Sequence, residues 1–149
     1  MQSVLRSDIV VHQPNGPMVA AVEVKNREEL SPQMAAMLRR NLVSHGILPD
    51  VPYFILVSQD KGFLWKQRKL IDAASPPDLE FSMKEVIRRY APPNLEGRLS
   101  GSELTLLVFI WLAELSQSRE GTTVEPEQTL AQSGFLDAIK GGILTREAA

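Results

Sequence analysis

Two runs of β-branched and apolar residues, separated by a short turn, constrain the fold of this chain more than any other feature. The first run covers residues 7–12, the second covers residues 18–25, and a Pro-Asn-Gly-Pro turn lies between them at residues 14–17. Asn-Gly readily adopts the positive φ angles that tight hairpin turns require. The two runs are therefore predicted to form an antiparallel hairpin.

The segment after the hairpin has the features of an amphipathic helix followed by two strands. Ser31 and Pro32 are a favourable N-cap and first-turn pair, and Gly46 follows the last periodic residue, which predicts a helix from Pro32 to His45. Apolar runs at residues 53–57 and 63–65 are typical of buried strands. The apolar positions expected on the buried face of the helix are Met34, Met37, Leu38, Leu42 and Val43.

The second half of the chain is predicted to be mainly helical. After a short segment at residues 79–81, Ser82 and Glu85 form a candidate capping box for a helix that ends at Tyr90. The last helix is expected over residues 126–140, and the two glycines that follow position 140 should end it. We therefore expect one α/β domain over residues 1–120 and a helical extension or partly flexible tail over residues 121–149, with its last few residues frayed.

A third helix is expected between the helix that ends at Tyr90 and the helix over residues 126–140. It should begin at Ser100 or Ser102 and end near Ser116. Residues 104–112 are apolar on nearly every side, which predicts a helix that is buried all round. It could cover one face of the sheet, or part of it could form a contact between subunits of a homo-oligomer. We favour the cover, because a small sheet needs one before it needs a partner.

The composition is that of an ordinary globular chain of 149 residues, with 44% apolar and 23% charged residues. Sixteen basic and 18 acidic side chains give a net charge of -2, so any nucleic-acid site must be a local patch. The absence of cysteine rules out a disulfide scaffold and fits the cytoplasm, where we place the protein. The N-terminus lacks the pattern of a signal peptide, and the apolar run at residues 104–115 is too short to cross a membrane, so no membrane association is expected.

Three charged residues are predicted to meet at one end of the hairpin. Asp8 lies near the start of the first strand, and Glu23 and Lys25 lie at the end of the second. In an antiparallel pair these two ends are neighbours. Because side chains alternate along a strand, Glu23 and Lys25 share one face, while Val22 and Val24 point to the other.

This set of residues has the chemistry of a metal-dependent phosphodiester hydrolase. The carboxylates of Asp8 and Glu23, with the backbone carbonyl of Val24, would offer Mg²⁺ or Mn²⁺ the oxygen ligands that these ions prefer. Lys25 could orient the attacking water or stabilise charge on the phosphate. The simpler alternative is an ion pair between Glu23 and Lys25 on a solvated sheet face, which would stabilise the fold by about 1 kcal/mol or less.

The spacing of Asp8, fourteen intervening residues and Glu23-Val24-Lys25, followed by a helix and an apolar strand, resembles the motif and core order of the PD-(D/E)XK nuclease superfamily. More narrowly, the chain resembles small bacterial members of that superfamily. The resemblance implies an α/β restriction-endonuclease-like mixed sheet with flanking helices. It also implies that Asp8 and Glu23 bind metal, that Lys25 assists the nucleophile, and that the protein is a nuclease, with DNA favoured over RNA.

The sequence also suggests accessory residues on the helix after the motif. Gln33 lies where some exonuclease-like members have a Gln followed four residues later by a Tyr, but Met37 stands in place of the Tyr, and we favour an exposed side chain without a role. Arg39 and Arg40 could contact phosphates or form an ordinary solvated face. The basic residues around the last predicted strand are expected on a solvated face: Lys61, Lys66, Arg68 and Lys69.

The superfamily core begins with a helix and a strand before the motif Asp, whereas seven residues precede Asp8 in this chain. We therefore expect that these N-terminal core elements are missing from a truncated chain, replaced by later segments, or supplied by a partner chain. The rival to a nuclease is a catalytically inactive module of the same fold that acts in protein–protein interaction or oligomerisation through residues 104–115. A metal-binding or phosphate-binding regulatory protein without turnover is the third alternative.

Overall fold

The computed structural model of the protein describes residues 7–48, 50–66, 74–118, 121 and 123–146. Within these segments the fold is mixed α/β, with one six-stranded sheet and five helices. The elements are β1 Ile9–His12, β2 Met18–Val24, α1 Pro32–Ser44, β3 Tyr53–Val57, β4 Lys61–Lys66, β5 Leu79–Ser82, α2 Lys84–Tyr90, α3 Gly101–Gln117, α4 Glu127–Gln132, α5 Phe135–Ile139 and β6 Ile143–Arg146. None of the described helices is long and apolar enough to cross a membrane.

The sheet has the strand order β5-β4-β3-β2-β1-β6. All neighbouring strands are antiparallel except β2 and β3, which are parallel and are joined by the crossover helix α1. Asn15 has a φ of 54° in the turn of the β1–β2 hairpin. The predicted hairpin, and the predicted order of strand, strand, helix, strand and strand, are confirmed.

Helix α1 begins as predicted, with the Ser31 hydroxyl accepting a hydrogen bond from the backbone N–H of Met34 at 3.1 Å. Its buried residues are Ala35, Arg39 and Leu42. The prediction that Met37 lies on the buried face is wrong, since this side chain is 64% exposed. Met37 follows Ala35 by two positions, which rotates it about 200° around the helix axis and away from the sheet.

The sheet is covered on both faces. Helix α1 packs on one face against a core cluster that includes Ala21, Phe54, Leu56, Phe63 and Trp65. The remaining helices contribute to a larger cluster on the other face, which includes Trp111 from α3. The side chains of one strand therefore alternate between two separate hydrophobic clusters.

Helix α2 differs from its predicted start. Its N-cap is Met83, without a side-chain cap, and Ser82 is the last residue of β5. The Ser82 hydroxyl accepts from the N–H of Lys84 at 3.2 Å, while the Glu85 carboxylate contacts Arg88. The predicted capping box between Ser82 and Glu85 is therefore wrong, because the chain is still extended at Ser82.

Helix α3 is confirmed, and Ser100 is its N-cap in a complete capping box with Glu103. The helix covers the sheet, and its buried residues are Leu104, Leu107, Val108, Trp111, Leu112 and Ser116. The prediction that it is buried all round is wrong, since Leu106 is 44% exposed and Ile110 is 40% exposed. Both point away from the sheet because burial follows the side of the helix that faces it.

The single helix predicted over residues 126–140 is also wrong. Gly134 has a φ of 92°, which ends α4 and leads into α5, and a Cβ at this position would lie 2.6 Å from the Tyr53 hydroxyl. Strand β6, which the sequence did not predict, then pairs antiparallel with β1. The residues before and after position 120, where the domain was expected to end, share one hydrophobic core. The C-terminal residues Leu130, Phe135 and Ile139 belong to this core.

Candidate functional site

The β1–β2 hairpin brings the predicted carboxylates together. Ile9 pairs with Val22 in antiparallel register, so Asp8 is the residue opposite Glu23. Oδ2 of Asp8 accepts a hydrogen bond from the backbone N–H of Val24 at 2.8 Å. Val22 belongs to the cluster under α3, so alternation places Glu23 on the opposite face, which α1 covers. The hairpin thus fixes Asp8 and Glu23 on the same face of the sheet.

Glu23 is a buried carboxylate, with 5% of its surface exposed. Its Oε2 atom is buried and has no hydrogen-bond partner among the described residues. Burial, and then the negative charge of Asp8, raise the pKa of Glu23 to about 7, and the positive charge of Lys25 acts in the opposite direction. The solvated ion pair considered from the sequence therefore does not describe Glu23, which lies inside the protein.

Lys25 is the first residue after β2 and is half-buried. Its backbone N–H donates to the carbonyl of Val57 at 2.8 Å, which continues the pairing of β2 with β3. The alternation of the strand directs its side chain to the same face as Glu23. The three predicted charges therefore meet at one end of the hairpin, and their catalytic roles stay predictions.

Val24 completes the set of oxygen donors that the sequence suggested. Its N–H points towards Asp8, and in an extended strand the carbonyl of a residue points to the same side as its N–H. In the described part of the chain, no three His, Asp or Glu side chains are grouped so that they could hold a metal ion. Two carboxylates and one backbone carbonyl are nevertheless a sufficient protein contribution for Mg²⁺, which usually keeps several of its waters.

Among the accessory residues, Gln33 and Arg40 are exposed on α1, where they border a small cleft of about 260 Å³. Arg39 is placed differently, since it is 2% exposed and its guanidinium lies over the ring of Trp65 at 5.6 Å. Trp65 is part of the core, as expected. Arg39 thus packs beneath α1, and of this pair only Arg40 lies on the surface.

The basic residues of β4 have structural contacts. Lys61 forms an ion pair with Glu80 at 2.7 Å, and the Lys66 ammonium donates to the carbonyl of Ser133 at 3.3 Å. Arg68 and Lys69 lie outside the described residues. The described contacts of Lys61 and Lys66 support structural roles for both.

The sequence did not predict a group of polar residues next to Lys25. The buried side chain of Gln59 bonds to Asn26 and to the backbone of Leu99. These partners are 33 and 40 positions away in the sequence, so no local pattern could reveal them. The only signal is that Gln59 follows closely on a buried apolar strand.

A larger cleft of about 800 Å³ lies next to this group of residues, and Asp60 and Arg98 are among the residues that line it.

Comparisons of the chain with protein-family models, with curated proteins and with solved structures find no significant match.

Proposed function

We propose that the protein is a metal-dependent nuclease of the PD-(D/E)XK type that hydrolyses phosphodiester bonds in nucleic acid, with DNA favoured as the substrate. The observation that carries the proposal is the convergence of Asp8, the buried Glu23 and Lys25 at one end of the hairpin. A carboxylate is rarely buried unless it is paired or binds a metal. The preference for DNA rests on the resemblance of the motif alone.

The donor atoms fit a divalent cation. Oε2 of Glu23 is buried without a hydrogen-bond partner in the described structure, and a buried acceptor of this kind costs about 1–3 kcal/mol or more when it is charged. A cation held by Asp8, Glu23 and the Val24 carbonyl would satisfy this atom and would remove the repulsion between the two carboxylates. When bound, such an ion supplies a water of lowered pKa and neutralises charge on the phosphate.

Lys25 has a separate task in the proposed reaction. Its ammonium group can donate three hydrogen bonds and accept none, so it suits the oxygens of a phosphate or an attacking water. Because it lies on the same face as Glu23, it is close enough for its charge to lower the pKa of that carboxyl. We assign to Lys25 the orientation of the nucleophile and the stabilisation of charge on the phosphate.

The sheet topology supports the restriction-endonuclease-like interpretation. The strand that carries Glu23 is followed by a crossover helix and a parallel strand, which is the expected core order. Strand β6 lies antiparallel beside β1 and flanks the hairpin, and the resemblance implies a first core strand before the motif Asp. We infer that a later segment of this chain supplies that element.

The test combines metal binding with cleavage. Titration calorimetry with Mn²⁺ should show binding to the wild type and to Glu96→Gln, a control at an exposed carboxylate, and no binding to the double variant Asp8→Asn/Glu23→Gln. Cleavage of single- and double-stranded DNA and RNA should require the metal and should fall at least 100-fold in Lys25→Ala but not in Lys140→Ala. Absence of Mn²⁺ binding by the wild type would refute the proposal.

One observation favours a second candidate function. Leu106 and Ile110 are exposed on α3 and border a cleft of about 230 Å³ with Tyr90 and Pro92. Exposed apolar side chains next to one another are typical of interaction surfaces. An inactive nuclease-fold module that forms homo-oligomers would use this face. Sedimentation velocity decides it: an oligomer that dissociates in Ile110→Lys supports this candidate, and a monomeric wild type refutes it.

A further inference from the structure

The buried side-chain amide of Gln59 joins three segments of the chain next to Lys25. Gln59 lies in the turn between β3 and β4 and is 7% exposed. Its Oε1 accepts the N–H of Leu99 at 3.0 Å, and its Nε2 donates to the Leu99 carbonyl at 2.8 Å and to Oδ1 of Asn26 at 2.6 Å. One side chain thus connects the loop after β2 with the segment before α3.

Asn26 reinforces this connection from its own side. Its Nδ2 donates to the same Leu99 carbonyl at 3.0 Å, so the two amides and one peptide group form a closed set of hydrogen bonds. Leu99 itself is buried. The bonds between Gln59 and Leu99 are buried and hold a fixed geometry, because breaking either of them leaves a polar group without a partner and without water.

An outer layer of ion pairs covers the same junction. Nε of Arg98 lies 3.3 Å from Oε1 of Glu28, and its Nη1 lies 3.7 Å from Oδ1 of Asp60. The three side chains are partly exposed, so these pairs contribute little to the rigidity of the junction. The hydrogen bonds of the buried Gln59 amide to Asn26 and Leu99 therefore hold the loop after β2 in place.

The position of Lys25 depends on this junction because the residue lies past the end of β2. Its N–H is held by the carbonyl of Val57, and its own carbonyl accepts from the N–H of Arg27 at 2.8 Å. The next residue is Asn26, whose side chain is held by Gln59. The backbone is therefore fixed on both sides of Lys25. This fixed backbone directs the long and otherwise flexible side chain of Lys25 to the sheet face that carries Glu23.

We propose that Gln59 is a positioning residue for Lys25, which it holds in place through its hydrogen bonds to Asn26 and to the buried Leu99. This inference rests on the proposed function for its catalytic consequence, since a catalytic group displaced by about 1 Å can lose about 100-fold in rate. The metal ligands are fixed independently, because Asp8 and Val24 are joined by their own hydrogen bond within the hairpin. Loss of Gln59 should therefore affect turnover more than metal binding.

The experiment compares Gln59→Leu with Gln132→Leu, the same substitution at an exposed position at the end of α4. The variant Asn26→Ala removes only the outer part of the junction and serves if Gln59→Leu does not fold. The measurements are kcat and KM for cleavage with saturating Mn²⁺, the Kd for Mn²⁺ by calorimetry, and hydrogen exchange of the Lys25 and Arg27 amides.

We expect Gln59→Leu to lower kcat at least tenfold, with KM and the Kd for Mn²⁺ changed less than threefold, and to accelerate exchange at Lys25 and Arg27 at least tenfold. Asn26→Ala should shift kcat and exchange in the same direction by less, and Gln132→Leu should shift neither. An unchanged kcat, or a Kd for Mn²⁺ that weakens as much as kcat falls, would overturn the positioning role.

The exchange measurement separates this inference from the proposed function. If the wild type does not cleave any substrate, the nuclease proposal fails, yet exchange still reports whether Gln59 fixes the backbone around Lys25. Accelerated exchange at Lys25 in Gln59→Leu would then support the structural part of the inference. Exchange equal to that of the wild type would overturn it.

Discussion

Replacing Glu23 by Gln should stabilise the metal-free protein at alkaline pH, although it removes a candidate catalytic residue. The pKa of Glu23 is raised from 4.5 to about 7, first by burial and then by Asp8. Between these two pH values the folded state keeps a proton that the unfolded state has lost. The stabilising contribution of this proton is complete below pH 4.5 and is lost as the pH rises through 7.

The size of the effect follows from the same shift. Each pKa unit corresponds to about 1.36 kcal/mol, so ionised Glu23 lowers the free energy of unfolding by up to about 3 kcal/mol at pH 8. Glutamine has nearly the same shape and no charge, and its amide can donate to Asp8. We expect Glu23→Gln to be more stable than the wild type by up to about 3 kcal/mol at pH 8 and nearly equal to it at pH 4.

The assay is urea unfolding at pH 4, 6 and 8 in the presence of a chelator, with Glu96→Gln as the control for loss of an exposed carboxylate. The quantity of interest is the difference between Glu23→Gln and the wild type, because other groups also titrate over this range. In thermal unfolding, about 3 kcal/mol corresponds to roughly 6–12 °C in Tm for a chain of this size. A variant that is less stable than the wild type at pH 8 would refute the argument that ionised Glu23 is destabilising.

Four further outcomes are expected. Mn²⁺ should raise the Tm of the wild type more at pH 8 than at pH 5, because a cation favours ionised Glu23, and it should leave the Tm of Glu23→Gln unchanged; an equal rise in both proteins would contradict a site at Glu23. Gly62→Ala should destabilise by about 1–3 kcal/mol in urea unfolding, since the new Cβ would lie 2.1 Å from the Phe81 ring. Ser100→Ala should cost about 1 kcal/mol through loss of the α3 cap, and Ser102→Ala much less, a contrast that urea titration of both variants would reveal. Glu127→Ala should cost about 1–3 kcal/mol and alter the tryptophan fluorescence, because it removes the acceptor of the buried Trp111 indole N–H.

The elements that the sequence predicted well are those with local signals. The Asn-Gly turn placed the hairpin, and the caps at Ser31 and Ser100 placed the starts of α1 and α3. The sequence did not predict which residues of each helix are buried, because the buried side of a helix depends on the position of the sheet. Met37 and Arg39 illustrate this: hydrophobicity favoured the first for the core, whereas the second is buried against Trp65.

The C-terminal region was harder to predict because its elements are short. The four residues of β6 include only two apolar ones, and the strand forms by pairing with β1, which lies more than 130 positions earlier in the sequence. The break between α4 and α5 depends on the positive φ of Gly134, and the Tyr53 hydroxyl lies where a side chain at this position would be. These contacts are distant in sequence, and no periodic pattern encodes them.

The candidate site could be predicted for a specific physical reason. The hairpin places its two strand ends side by side, so the proximity of Asp8 and Glu23 needs no knowledge of the rest of the fold, whereas their direct pairing also depends on a shift of register between Val11 and His12. Their environment does need it, since burial of Glu23 depends on which sheet face α1 covers. Charged residues at the end of a hairpin are common, but a buried carboxylate with an oxygen lacking a partner among the described residues, as in Glu23, is costly. That cost is the strongest physical argument that Glu23 has a ligand, because an uncharged residue at the same place would make the metal-free protein more stable.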